Sequence, residues 1–124
     1  MRPAAKLSVL VLAAVAVAGP AASQYRASWT KPAAPFRIVG PVYSVGSDGL
    51  GVYLIQTKDG AILIDGGVPE MAAMVEANIK ALGFDLKSVK YLLNTHAHFD
   101  HSGALAQLKR ASGAKMVGSE LDRE

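Results

Sequence analysis

The order of apolar segments from Ala61 onward constrains this chain more than any other feature. Ala61-Ile62-Leu63-Ile64 is a continuous apolar run, and Val89-Lys90-Tyr91-Leu92-Leu93-Asn94 and 114–118 are further strand-like runs, with helix-period stretches between them. Strand, helix, strand, helix, strand implies a parallel sheet with right-handed crossovers, because parallel neighbours cannot be joined by a tight turn. The run at 61–64 lacks polar alternation, which predicts a strand buried on both faces. After it, Pro69 suits a first helical position, and Met71, Met74, Val75, Ile79 and Leu82 recur on one helical face that Gly83 closes. At that spacing the methionines read as core rather than as a promiscuous groove. A second helix is predicted over 102–111, with Leu105 and Leu108 inward and Gly113 at its end, and Glu120 begins a third.

Upstream, Phe36-Arg37-Ile38-Val39, Val42-Tyr43-Ser44-Val45 and 51–57 are short β-branched and aromatic runs separated by Gly40-Pro41 and Ser47-Asp48-Gly49. They predict sequential antiparallel strands, with Lys58-Asp59-Gly60 as the tight turn into the buried run. Gly46, Gly49 and Gly51 lack phosphate-loop spacing and no helix follows them, so they are turn residues. Residues 24–35 carry Trp29, Pro32 and Pro35 without a period and read as an extended arm.

The first residues have a different character. Arg2 and Lys6 precede an apolar run over 7–18, and Gly19-Pro20-Ala21-Ala22-Ser23 follows with a helix breaker and small side chains. The run is shorter than the about 20 residues that cross a bilayer, so 1–23 is expected to be a cleavable signal peptide, cut after Ser23. Export is expected to follow, with residues 24–124 as the folded part and no membrane contact after cleavage. The chain's formal charge of +3 falls once Arg2 and Lys6 are gone, and no basic cluster remains to bind nucleic acid. A composition 51% hydrophobic and 19% charged excludes a disordered tail, and the absence of cysteine excludes disulfides within this chain.

The chemistry is concentrated in one place. All three histidines lie in Asn94-Thr95-His96-Ala97-His98-Phe99-Asp100-His101, directly after a predicted strand. Ligands of open α/β sheets collect beyond the carboxyl ends of strands, which is where this segment falls. His96 and His98, two apart in extended chain, point to one side and can share a metal ion. Asp100 and His101 diverge from that pair as the chain turns, which suits a second ion. Imidazole and carboxylate without thiolate favour zinc, with iron or manganese also compatible. Asp65 sits at the same end of the sheet, where it can cap the helix near Pro69, support the metal-binding loop through hydrogen bonds, or do both.

His96-x-His98-x-Asp100-His101 after a hydrophobic strand, preceded by Ile62-Leu63-Ile64-Asp65-Gly66-Gly67, resembles the metallo-β-lactamase superfamily. The segments 29–38, Tyr53-Leu54-Ile55 and 94–109, with histidine at 101, look most like its subclass B3. The resemblance implies an α/β fold, the N-terminal half of an αββα sandwich. It also implies that His96 and His98 bind a first Zn2+ ion, that Asp100 and His101 bind a second, and that Asp65 is the buried aspartate beside the site. Gly103-Ala104 departs from the paired glycines common there.

The activity implied is opening of the β-lactam ring of an antibiotic by a metal-bound hydroxide, with Asp100 positioning the hydroxide. A lactone-hydrolysing enzyme of the same fold is the alternative. In the family, further histidines from downstream segments complete both zinc sites, whereas this sequence has none after His101. The chain is therefore expected to be an N-terminal part of a longer enzyme, inactive alone, and a truncated non-catalytic product is the third reading.

Overall fold

In a computed structural model of the chain, which describes residues 27–123, the strands form one six-stranded sheet. The signal peptide expected over 1–23 falls outside those residues. The strands are β1 (Phe36–Val39), β2 (Val42–Ser44), β3 (Tyr53–Thr57), β4 (Gly60–Ile64), β5 (Val89–Leu93) and β6 (Lys115–Val117), and they lie side by side in chain order. The first four pair antiparallel, and β4–β5 and β5–β6 pair parallel. Meander followed by crossovers is the order that the apolar pattern predicts.

The crossover from β4 to β5 contains a 3-10 turn (Pro69–Met71) and helix α1 (Ala72–Ala81). Pro69 begins that turn, where its missing N–H costs nothing. Met71, Val75 and Ile79 are wholly buried, so this face is core as its period indicates, while Met74 at its edge is half-buried. Gly83 follows the helix with φ +84°, a conformation that favours glycine. The crossover from β5 to β6 contains α2 (Phe99–Ser102) and α3 (Leu105–Ser112), which ends on Gly113 at φ +79°.

Both crossovers step in the same direction across the sheet, so right-handedness puts their helices on the same face. That geometry corrects the expectation for 61–64. Ala61 and Leu63 are fully buried beneath the helices, whereas Ile62 and Ile64 are only half-buried on the opposite face. Ile62 pairs there with Ile55 and Tyr91, and Ile64 with Tyr53 and Leu93. Leu54, Leu63, Leu92, Leu108, Val75 and Ile79 form the centre of the core, and each fully buried leucine contributes about 2 kcal/mol of transfer free energy.

Three further differences have local causes. The single helix expected over 102–111 is two helices, because Ala104 N–H donates to the Gly67 carbonyl (3.1 Å) outside the helix. Gly103 lies against Pro69, where an added Cβ would stand 2.6 Å from the proline Cδ. In the arm, 27–30 form a helical turn carrying Trp29, and Pro32 bridges Ser47. The chain from Glu120 to Arg123 is a 3-10 turn. Among the described residues no helix is long and apolar enough to cross a membrane.

Candidate metal centre

β4 and β5 run parallel and finish together at Ile64 and Leu93, so the segments after them emerge at one end of the sheet. Backbone hydrogen bonds lace the two together. Asp65 N–H donates to the Leu93 carbonyl (2.8 Å), and Gly66 N–H donates to the His101 carbonyl (2.8 Å). Gly66 also lies close to the start of α3, where an added Cβ would be 3.1 Å from the Leu105 nitrogen.

Asp65 is the hinge of this arrangement. It is 4% exposed and is the one non-glycine with positive φ (+62°) among the described residues. The left-handed region costs an ordinary L-residue about 1 kcal/mol, and aspartate is among the few that visit it. Its carboxylate offsets that cost by accepting three contacts. Thr95 N–H donates to Oδ1 (2.8 Å), the Thr95 hydroxyl donates to Oδ2 (2.8 Å), and His101 Nδ1 stands 2.8 Å from Oδ2. The helical turn after it has no side-chain cap. Of the two roles open to Asp65, support of the histidine segment is therefore the one it performs.

These contacts also decide ring tautomers. An ionised carboxylate can only accept, so the 2.8 Å contact requires a proton on His101 Nδ1, and a neutral His101 keeps its lone pair on Nε2. The Thr95 hydroxyl has one proton, which is engaged by Asp65. Towards His96 Nδ1, 3.1 Å away, it can therefore only accept. His96 then carries its proton on Nδ1 and its lone pair on Nε2 as well. One buried carboxylate thus orients two imidazoles, directly and through a threonine.

The sequence-predicted residues do come together. The His96 ring lies 4.7 Å from that of His98 and 4.0 Å from that of His101, centroid to centroid. Asp100 Oδ2 is 3.6 Å from His101 Nε2. The turn does not carry the His101 ring away from the first pair, since His101 lies nearer to His96 than His98 does. The turn from His98 to His101, closed by a 3.0 Å hydrogen bond from His101 N–H to the His98 carbonyl, folds His101 back over His96.

Nitrogen and oxygen donors of this kind are chemically compatible with zinc. Among the described residues, however, no three histidine, aspartate or glutamate side chains stand as a complete metal-holding group. Thr95 and Trp29 are the residues that sequence reasoning passed over. A hydroxyl between strand end and first histidine was the available signal for Thr95, whereas nothing local tied Trp29 to Phe99, whose ring it meets at 5.8 Å.

Comparison with known proteins agrees with this fold. The subclass B3 metallo-beta-lactamase BJP-1 of Bradyrhizobium japonicum superposes with a TM-score of 0.75 at 44% identity, covering 77% of this chain and 36% of that one. The metallo-beta-lactamase GOB-18 of Elizabethkingia meningoseptica superposes with a TM-score of 0.70 at 46% identity, covering 72% of this chain and 33% of that one. An N-acyl homoserine lactonase from a Bacillus species is 30% identical over a match covering 41% of this chain and 30% of the lactonase. The chain thus spans about a third of the length of these relatives. The family model of the metallo-beta-lactamase superfamily matches residues 52–123, which contain the β4 strand, Asp65 and the whole histidine segment, and to that superfamily the chain belongs.

Proposed function

We propose that this chain is the N-terminal part, residues 24–124 after loss of a signal peptide over 1–23, of a periplasmic zinc-dependent hydrolase that opens the β-lactam ring. The observation that carries the reading is the histidine segment pinned by Asp65 in a chain 44% identical to a subclass B3 metallo-beta-lactamase. His96 and His98 would hold one ion, and Asp100 and His101 a second. Zinc, when bound, supplies a Lewis acid that makes water nucleophilic near neutral pH.

The protein's own residues do the positioning. Asp65 holds His101 by its Nδ1 proton and holds His96 through the Thr95 hydroxyl, so that neither ring can rotate without losing a hydrogen bond. Asp100, half-buried in the first turn of α2, is the carboxylate beside these rings and would position the attacking water by accepting a hydrogen bond from it. Because this chain supplies two donors for each ion, it is expected to show no turnover by itself. The same count is compatible with a truncated, non-catalytic product.

A second substrate class is favoured by a specific observation, the similarity to an N-acyl homoserine lactonase. The deciding experiment assays the natural protein recovered from the exporting cell against a carbapenem and an acyl-homoserine lactone, with and without a chelator. Faster carbapenem turnover that the chelator abolishes is expected. Faster lactone turnover would transfer the assignment to the lactonase class, and chelator-insensitive turnover of either would overturn the metal reading. The intact mass of the same preparation distinguishes a longer enzyme from a product ending at Glu124.

A further inference from the structure

Beside the histidine segment lies a cleft of about 350 Å³ lined by Trp29, Thr30, Val68, Glu70 and Phe99. Its construction draws on three separated parts of the chain. The Trp29 ring meets that of Phe99 at 58°, so the two form a corner rather than a closed stack. Val68 is 4% exposed and presents an apolar floor, and Phe99, 56% exposed, offers much of its ring to a ligand. The turn that carries Val68 and Glu70 is held against α2 by the close approach of Pro69 to Gly103. The walls are therefore set before anything binds.

The electrostatics of the cleft select among apolar ligands. Glu70 is exposed at the cleft and takes part in none of the ion pairs among the described residues. The nearby cation Lys31 is turned to Asp48, 3.1 Å away. Two π-faces and one carboxylate attract a protonated amine and repel a carboxylate. Phe99 lies between His98 and Asp100 in the chain, so one wall of the cleft belongs to the histidine segment itself.

We infer that this cleft is a specificity subsite for an apolar substituent, of about the size of a phenyl ring, that carries a protonated amine. The inference rests on the hydrolase reading only in identifying the ligand as a substituent of the substrate. The cleft itself can be tested without metal or turnover, because Trp29 lines it and its emission is isolated by difference against Trp29→Phe. The natural protein, treated with chelator, is titrated with phenethylammonium, 2-phenylethanol and phenylacetate while Trp29 emission is followed.

Phenethylammonium is expected to produce a saturable change, and to bind at least about fivefold more tightly than phenylacetate. Phe99→Ala is expected to weaken it about tenfold through loss of one ring. Glu70→Gln is expected to abolish the preference for the cation while leaving 2-phenylethanol unchanged. Both side chains are exposed, so neither substitution threatens the fold. Absence of saturation, equal binding of phenylacetate, or a cation preference that survives Glu70→Gln would each overturn the subsite. β-Lactam turnover by the natural protein without phenethylammonium binding would leave the hydrolase reading intact and remove only this inference.

Discussion

The two sides of the histidine segment are built on different terms. On the inner side, Asp65, Thr95 and His101 form a hydrogen-bonded unit around a carboxylate that is 4% exposed. On the outer side, His98 and Phe99 are exposed, and His98 does not cap the helix that it precedes. The inner side fixes ring orientation and tautomer, and the outer side leaves surface for a ligand. Residues in the first group are tied to the fold's stability as well as to its chemistry, whereas residues in the second can change with little effect on folding.

Removing the centre of the inner side gives the largest expected effect. Asp65→Ala takes the acceptor from two Thr95 donors and from His101, and it puts alanine at φ +62°. Bonds to a buried charged group are worth about 1.5–3 kcal/mol each and the orphaned donors stay desolvated, so a loss of about 3 kcal/mol or more is expected. Chemical denaturation of the natural protein measures it. A midpoint unchanged from the parent would show that the inner side is not load-carrying for the fold and would dissolve the comparison.

Much of this arrangement is legible in the amino-acid order. Apolar runs and helical periods announce the meander, the crossovers and the core face of α1, and the crowding of His96, His98 and His101 after β5 announces the site. Less legible is whatever depends on distant partners. Asp65 meets His101 across 36 positions of sequence, and nothing around Asp65 distinguishes a helix cap from a buried acceptor. The break between α2 and α3 arises where Gly103 meets Pro69, a contact with no local signature. The half-open face of Ile62 and Ile64 follows from crossover handedness, since hydrophobicity alone reads the same for strands covered on one face or two.

The comparison sharpens when one histidine from each side is removed. His101→Ala leaves the Asp65 carboxylate short of a donor and should destabilise the chain by about 1–3 kcal/mol. His98→Ala, at an exposed position, should stay within about 0.5 kcal/mol of the parent. Zinc titration of the natural protein should find both variants weakened, by a factor of about ten or more. If the two substitutions cost the same stability, the distinction between a pinned and an open side would fail, whatever their effect on zinc.

Thr95 gives the smallest and most discriminating test, because it joins the two sides. Thr95→Val keeps the shape and the backbone N–H bond to Asp65 Oδ1, and removes only the hydroxyl between Asp65 and His96. A net cost of about 1 kcal/mol is expected. The effect on His96 should be larger than that figure suggests, since its ring loses the acceptor that holds the proton on Nδ1 and can shift its lone pair away from Nε2. Nitrogen-15 spectra of the imidazoles should show the Nδ1–H tautomer of His96 in the parent and in Thr95→Ser, and a mixture in Thr95→Val. His101, bonded to Asp65 directly, should keep its tautomer in all three. A His96 tautomer that ignored the hydroxyl would mean that Asp65 governs one ring rather than two, and the reach of the buried carboxylate would end at His101.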